Sequence, residues 1–208
     1  FSKSQMEVVE SNIQSQLELL DYDVTSFIKE IKSDLLTLVN NDLVRTRDDE
    51  AFTSFLGADE DTFEYNIGEL EQSIIDLLNT YRTTHEYVNS VYMGRENGSF
   101  VRSHPRNKPT QYDPRDRPWY ILAYENPGEI QITEPYQSVT TKDENLGIVT
   151  ALVDKHDEIF GVVGIDVTLV NLTDFISNFN VNHSGHFLLV HENGTVLAYY
   201  DQEFLNLD

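Results

Sequence analysis

A nine-residue stretch in the middle of the chain, Tyr112 to Tyr120, concentrates side chains that can bind a carboxylate. It contains the guanidinium of Arg117, the indole of Trp119 and a phenol at each end. A guanidinium presents a planar fork to a carboxylate, and the aromatic residues add directional N–H and O–H donors. Two prolines keep the stretch from running as a regular strand or helix, so it is predicted to be a shaped loop.

Asp166 supplies the opposite charge later in the chain. It lies in the apolar run Ile159 to Val167, where a buried carboxylate without a partner would be costly. A ligand ammonium group would provide that partner. A structural ion pair between Arg117 and Asp166, or pairing with Arg115 and a backbone amide, explains these residues equally well, because structural networks share the residue types of binding sites.

Six residues in order resemble the amino-acid-binding motif of double Cache domains, the tandem PAS-like extracytoplasmic sensors of chemoreceptors and sensor histidine kinases. These residues are Tyr112, Arg117, Trp119, Tyr120, Tyr136 and Asp166. The resemblance implies that the first four hold mainly the carboxylate of a free amino acid and that the last two hold mainly its ammonium. The motif is specific as six positions in order, whereas any one position is weak evidence.

The resemblance extends over roughly residues 1 to 200 and implies an α+β layer fold. A long N-terminal helix at residues 1–45 would accompany a membrane-distal PAS-like module at 46–168, whose antiparallel sheet carries the ligand site. A connecting helix at 169–180 would lead to a membrane-proximal PAS-like module that begins at 181–208. This second module is as large as a small domain in the family, so the chain is expected to contain only its start.

Hydrophobic periodicity predicts the elements that position these residues. Apolar residues three or four apart from Met6 to Leu38 predict an amphipathic helix of about 40 residues, roughly 60 Å long. One small core could not cover so long a stripe, so the helix is expected to span two modules, with its start available for homodimerisation. Further helices are predicted at Glu69–Tyr81, Trp119–Tyr124 and Thr168–Phe179, and strands at Glu86–Met93, Ser99–Ser103, Ile130–Gln137, Gly147–Asp154, Ile159–Val167, His186–His191 and Thr195–Tyr200.

The charge distribution restricts the class of partner. The 208 residues carry a formal charge of −22, which disfavours nucleic acid and anionic membrane surfaces as partners because both would be repelled. Residues 81–120 are the exception, with seven basic and four acidic side chains. This positive segment includes the loop proposed to receive a carboxylate, where a local field could attract an anionic group.

Several other kinds of site are disfavoured by the sequence. It has no cysteine, so disulfides and thiolate metal sites are excluded. His183, His186 and His191 lie close in sequence but are expected to face solvent rather than bind a metal, and no cofactor is expected. No apolar run reaches the ~20 residues of a membrane span. If the chain is a receptor exterior, as the resemblance implies, its membrane anchors lie before Phe1 and after Asp208 in a longer parent protein.

We interpret the sequence as the extracytoplasmic, amino-acid-binding part of a transmembrane signalling receptor. The parent protein would carry the output as a kinase, chemotaxis transducer or cyclase. Two alternatives remain: the same fold could bind an amine, a purine or a carboxylic acid, or it could be a structural dimerisation module without a ligand. An enzyme using Asp113, Asp116 and Asp166 is disfavoured, because the motif offers no nucleophile with its own base and Arg117 would keep nearby acids ionised.

Overall fold

The computed structural model describes residues 2–178 and 186–201. The described helices are α1 (Lys3–Val39), α2 (Glu69–Thr84), α3 (Pro118–Glu125) and α4 (Leu169–Ser177), with 3₁₀ turns at Asp49–Ala51 and Pro114–Asp116. The described strands are β1 (Ser90–Arg95), β2 (Phe100–Arg102), β3 (Ile130–Ile132), β4 (Tyr136–Gln137), β5 (Glu144–Val153), β6 (Ile159–Thr168), β7 (His186–Val190) and β8 (Val196–Asp201).

Strands β1 to β6 form one antiparallel sheet. The strand order is β2-β1-β6-β5-β3, and β4 pairs with the start of β5 beside β3. The long β5–β6 hairpin lies at the centre, and β1 is inserted on its outer side with Ser90 opposite Asp166. This nonlocal pairing brings β1, the strand after α2, next to β6, which carries Asp166. The predicted α+β fold with an antiparallel sheet is confirmed.

One face of the sheet packs against α1 and α2. Successive strand residues alternate between faces, and Val91, Ile148 and Ile165 are fully buried on this side. They share a core with α2 and with the last turns of α1, where Ile31, Leu35, Leu38 and Val39 are buried. The first half of α1 is exposed. Among the described residues, core packing therefore involves the C-terminal part of α1.

The opposite face of the sheet carries an aromatic core. Tyr92, Phe100 and Val149 project from the strands and pack against Trp119 and Tyr120 of α3. The Tyr92 and Trp119 ring centroids are 4.7 Å apart. The stretch predicted as a shaped loop consists of a short 3₁₀ turn followed directly by α3, with Arg117 between them. Pro118 occupies the first turn of α3, where a missing N–H costs nothing.

Two predicted strands differ most from the observed strands in their boundaries. The strand predicted to start at Glu86 starts at Ser90, because α2 continues to Thr84 and the Val88 N–H bonds to the His85 carbonyl in a turn. The single strand predicted at Ile130–Gln137 is divided into β3 and β4. Pro135 lies in the interruption and cannot donate a ladder hydrogen bond.

The last described strands, β7 and β8, pair as a separate two-stranded sheet. This is the hairpin predicted as the opening of a second module. The helix predicted to end at Phe179 ends at Ser177, and Phe179, His183 and the last residues of the predicted second module lie outside the described residues. The predicted division into modules stays a prediction.

Candidate functional site

A cavity lies between the aromatic face of the sheet, the segment before α3 and the β4 segment. It is partly open to solvent, and the space between its walls is about 440 Å³ with that open part included. Five of the six predicted site residues line it, namely Tyr112, Arg117, Trp119, Tyr136 and Asp166. The antiparallel sheet positions Asp166 and Tyr136, the segment before α3 positions Tyr112 and Arg117, and the first turn of α3 positions Trp119.

Asp166 forms the anionic end of the cavity and is held by two phenols. Its side chain is buried, and the Tyr136 hydroxyl donates to it at 2.7 Å. The Tyr92 hydroxyl donates to Oδ1 at 2.5 Å, and the two phenol oxygens lie 3.0 Å apart. An ionised carboxylate offers about four lone-pair positions, so two hydroxyl protons leave Asp166 able to accept from a ligand.

Burial controls the protonation of Asp166. Loss of solvent raises its pKa to about 7, while the hydroxyl donors Tyr92 and Tyr136 and the positive charges of Arg102 and Arg117 oppose the rise. The same burial raises the pKa of both tyrosines well above the ordinary value, so they act as neutral donors. With its pKa at about 7, Asp166 is divided between its acid and carboxylate forms near neutral pH, and a nearby cation would favour the carboxylate.

Arg117 forms a cationic end, with Tyr112 and Trp119 beside it. Its Nη2 donates to the Gln137 carbonyl at 2.9 Å, and its guanidinium carbon lies 6.0 Å from the centre of the Tyr136 ring. The Trp119 indole N–H points to the Tyr112 hydroxyl at 3.4 Å. One backbone carbonyl cannot use all five guanidinium donors, so Arg117 retains donors for a ligand carboxylate.

Arg117 and Asp166 line the same cavity without pairing. Four ion pairs are found within residues 2–178 and 186–201, and neither Arg117 nor Asp166 belongs to one. The neighbouring Arg115 pairs instead with Asp113 at 2.7 Å. The structural ion pair that residue chemistry left open, in which Arg117 or Arg115 neutralises Asp166, is thus not the arrangement observed.

Tyr120 is placed apart from the other five predicted site residues. It is buried against the Trp119 ring at 5.6 Å, but it lines a separate depression with Glu96, Arg115 and Tyr124. Adjacent residues of a helix point about 100° apart, which directs Trp119 and Tyr120 to different sides of α3. Its predicted contact with a ligand carboxylate stays a prediction, and the structure gives it a packing contact with Trp119.

The cavity is also lined by residues outside the six-residue sequence motif. Polar and charged groups at its wall include Asn89, Ser90, Tyr92, Arg102, Arg106 and Asn145. Tyr92 is the most important of these residues, because its hydroxyl donates to Asp166, the residue predicted to bind an ammonium group. The available signal was the period-two alternation of Ser90 and Tyr92, but the partner strand of β1 could not be read from that alternation.

A family profile described as a Cache domain, dCache_1, matches residues 1–207. The chain belongs to this Cache family. The prediction that this chain is similar to double Cache sensors is confirmed, because the match spans residues 1–207. Cache sensor domains of chemoreceptors bind ligands rather than catalyse reactions.

Solved structures of chemoreceptor ligand-binding domains support the fold. The ligand-binding domain of the Pseudomonas aeruginosa amino-acid chemoreceptor PctB, in complex with L-Arg, is 23% identical and has a TM-score of 0.69. The comparison covers 95% of this chain and 73% of that one. The ligand-binding domain of the Pseudomonas fluorescens chemoreceptor CtaA, in complex with L-serine, is 21% identical with a TM-score of 0.70, over 96% of this chain and 75% of that one.

Curated relatives of this Cache chain are chemotaxis receptors. The methyl-accepting chemotaxis protein McpA of Pseudomonas putida is 38% identical over 108 residues, which cover 51% of this chain and 16% of the receptor. The chain thus spans about a sixth of that relative's length. Within the part of the chain that the structure describes, no helix combines the length and apolarity needed to cross a bilayer.

Proposed function

We propose that this chain is the extracytoplasmic sensor part of a membrane-anchored receptor and binds a free amino acid. One observation carries the proposal: Arg117 and Asp166 line a single cavity as a cation and an anion that do not pair with each other. A zwitterion placed between them would satisfy both charges at once. Chemoreceptor domains of the same fold are described in complex with L-Arg and L-serine.

The site residues take complementary parts in this proposal. Arg117 binds the α-carboxylate through its free guanidinium donors, with Tyr112 and Trp119 as additional donors, and Tyr120 supports the Trp119 ring. Asp166 accepts from the α-ammonium, and Tyr136 holds the carboxylate in position. Charge-assisted hydrogen bonds contribute about 1.5–3 kcal/mol each, so either end alone binds weakly.

Calorimetry with matched ligands tests the zwitterion requirement. The panel contains L-amino acids, the amines formed by their decarboxylation and the acids formed by their deamination. Amino acids should bind with micromolar affinity, whereas the amines and the acids should bind at least about tenfold more weakly, because each lacks one charge-assisted contact. An amine or a deaminated acid that binds as tightly as the best amino acid would contradict the proposal.

Arg117 and Arg115 form a matched pair of variants. Arg117→Ala removes a guanidinium that lines the cavity, and Arg115→Ala removes one that pairs with Asp113 outside it. We expect Arg117→Ala to weaken amino-acid binding by about tenfold to a hundredfold and Arg115→Ala to leave it nearly unchanged. Equal losses in both variants would show that general charge, rather than a carboxylate contact, was removed.

Signalling would require a ligand that binds one of two arrangements of the site more tightly, since a ligand with equal affinity for both does not change their populations. In the proposed organisation, α4 connects the ligand-binding module to a second module that begins with β7 and β8. A chemotaxis transducer is the output of the curated relatives. Fusing the chain to a chemotaxis transducer and measuring its response to amino acids tests this step.

A further inference from the structure

Two arginines in the cavity, Arg102 and Arg106, have no part in the proposed zwitterion contacts. Together with Arg117 they place three guanidinium groups around the single carboxylate of Asp166. With Asp166 ionised, the charged side chains at the cavity wall carry a formal charge of +2, in a chain whose net charge is −22. A neutral zwitterion would leave this excess positive charge uncompensated.

Arg102 lacks an acceptor for its guanidinium. It is partly buried on β2 opposite Tyr92, on the sheet face that forms the cavity. Within the described ranges 2–178 and 186–201 its side chain makes neither a hydrogen bond nor an ion pair. Burial lowers its pKa from the ordinary value, and the charge of Asp166 is the largest effect that opposes this. An anion in the cavity would supply the missing acceptor.

Arg106 is held in place without being neutralised. Its Nη1 donates to the Thr110 carbonyl at 3.1 Å. Its guanidinium carbon lies 4.9 Å from the Phe55 ring centre and 4.8 Å from that of Tyr112, which also lines the cavity. These contacts fix the guanidinium at small entropic cost to a ligand, and they leave its charge available.

The one other buried acid beside these arginines does not cancel their charge. Glu71 lines an adjoining small cavity with Arg102 and Arg106. Its two oxygens accept from the Thr53 N–H and hydroxyl, each at 2.9 Å. Burial raises its pKa. Glu71 takes part in none of the ion pairs found among the described residues.

We propose that Arg102 and Arg106 form an anion subsite that selects amino acids with an acidic side chain, L-glutamate or L-aspartate. The inference rests on the proposed function, since Arg117 and Asp166 take the α-carboxylate and α-ammonium. The side-chain carboxylate then binds Arg102, and Arg106 adds to the positive field. The corresponding amide has nearly the same shape and no charge, so electrostatics decides between acid and amide.

The decisive measurement is calorimetry at pH 8 with L-glutamate against L-glutamine and L-aspartate against L-asparagine. The wild-type chain should bind at least one acid about tenfold or more tightly than its amide, and the ratio should fall as salt is added. This comparison needs no variant, so it does not depend on whether a substitution disturbs folding.

Variants of Arg102 test whether this residue causes the preference for the acid over the amide. Arg102→Gln should weaken binding of the preferred acid by about tenfold and change amide binding by less than about twofold, whereas Arg102→Lys should keep part of the preference. Arg115→Gln is the control for lost positive charge and should leave the acid-to-amide ratio unchanged. Melting temperatures of all four proteins check that the fold is retained.

Two results would overturn the inference, and they differ in what they say of the proposed function. If acid and amide bind equally, or if Arg102→Gln weakens both equally, the anion subsite is wrong while amino-acid sensing stands. If no amino acid of either kind binds the wild-type chain, the zwitterion site and the subsite are both wrong.

Discussion

The Tyr136 hydroxyl lies 2.7 Å from both carboxylate oxygens of Asp166. It comes from β4, a strand of two residues that pairs with the start of β5, whereas Asp166 is on β6. One phenol thus joins the edge of the sheet to its centre at the wall of the cavity. It also stabilises the ionised form of a carboxylate that burial disfavours.

Removing that phenol oxygen should weaken amino-acid binding. Tyr136→Phe deletes a hydrogen bond to a charged group, which contributes about 1.5–3 kcal/mol, and we expect a loss in affinity of about tenfold or more. Tyr124→Phe is the matched control, because Tyr124 is exposed outside the cavity. Calorimetry of both variants checks the prediction, and an unchanged affinity for Tyr136→Phe would remove this tyrosine from the site.

Ligand affinity should depend on pH through Asp166. Its pKa is raised to about 7, and only the carboxylate attracts an ammonium. Affinity should therefore rise with pH up to about 7 and level off above it, falling about tenfold per pH unit well below that value. Titrations from pH 5.5 to 8.5 measure this. Asp166→Asn should bind weakly with no such dependence, and a flat profile in the wild type would contradict the assignment.

The stability of the ligand-free protein should show the opposite trend from the same group. A carboxyl with a higher pKa in the folded protein than in the unfolded chain stabilises the fold most fully below the unfolded value of about 4. That contribution is lost as pH rises through the folded value of about 7. The melting temperature of the wild type should therefore decline relative to Asp166→Asn between pH 4 and 7. A constant difference would show that burial does not raise the pKa.

Gly164 provides the space in which Tyr92 reaches Asp166. A Cβ at this position would lie 2.5 Å from the Tyr92 ring, whereas one at Gly57 would meet nothing within 4 Å. Gly164→Ala should destabilise the fold by about 1–3 kcal/mol through overpacking and should weaken binding by displacing Tyr92. Gly57→Ala should do neither. Thermal unfolding and calorimetry check both, and full binding by a folded Gly164→Ala would separate Tyr92 from the site.

Local patterns were sufficient to predict the elements that local physics determines. The apolar steps of three and four predicted α1 within a few residues, and the strands predicted at Gly147–Asp154 and Ile159–Val167 correspond to β5 and β6, the hairpin that carries Asp166. Pairing between strands far apart in sequence leaves no such local signal. For that reason Tyr92 and Arg102 were not assigned to the site, although both lie on the same sheet face as Asp166.

The directions of neighbouring side chains could not be predicted from the sequence either. Trp119 and Tyr120 are adjacent in the motif, yet α3 turns one toward the cavity and the other toward a separate depression. The interruption before Tyr136 had a signal in Pro135. Whether β4 then returned to β5 depended on pairing with Asn145, which only the folded sheet provides.

Asp166 is two residues from Thr168, whose hydroxyl accepts from the Asn171 N–H and starts α4. No loop or joint intervenes between the carboxylate and the first turn of that helix. The chain that leaves the cavity at Asp166 is therefore continuous β-strand up to Thr168, the residue that caps α4.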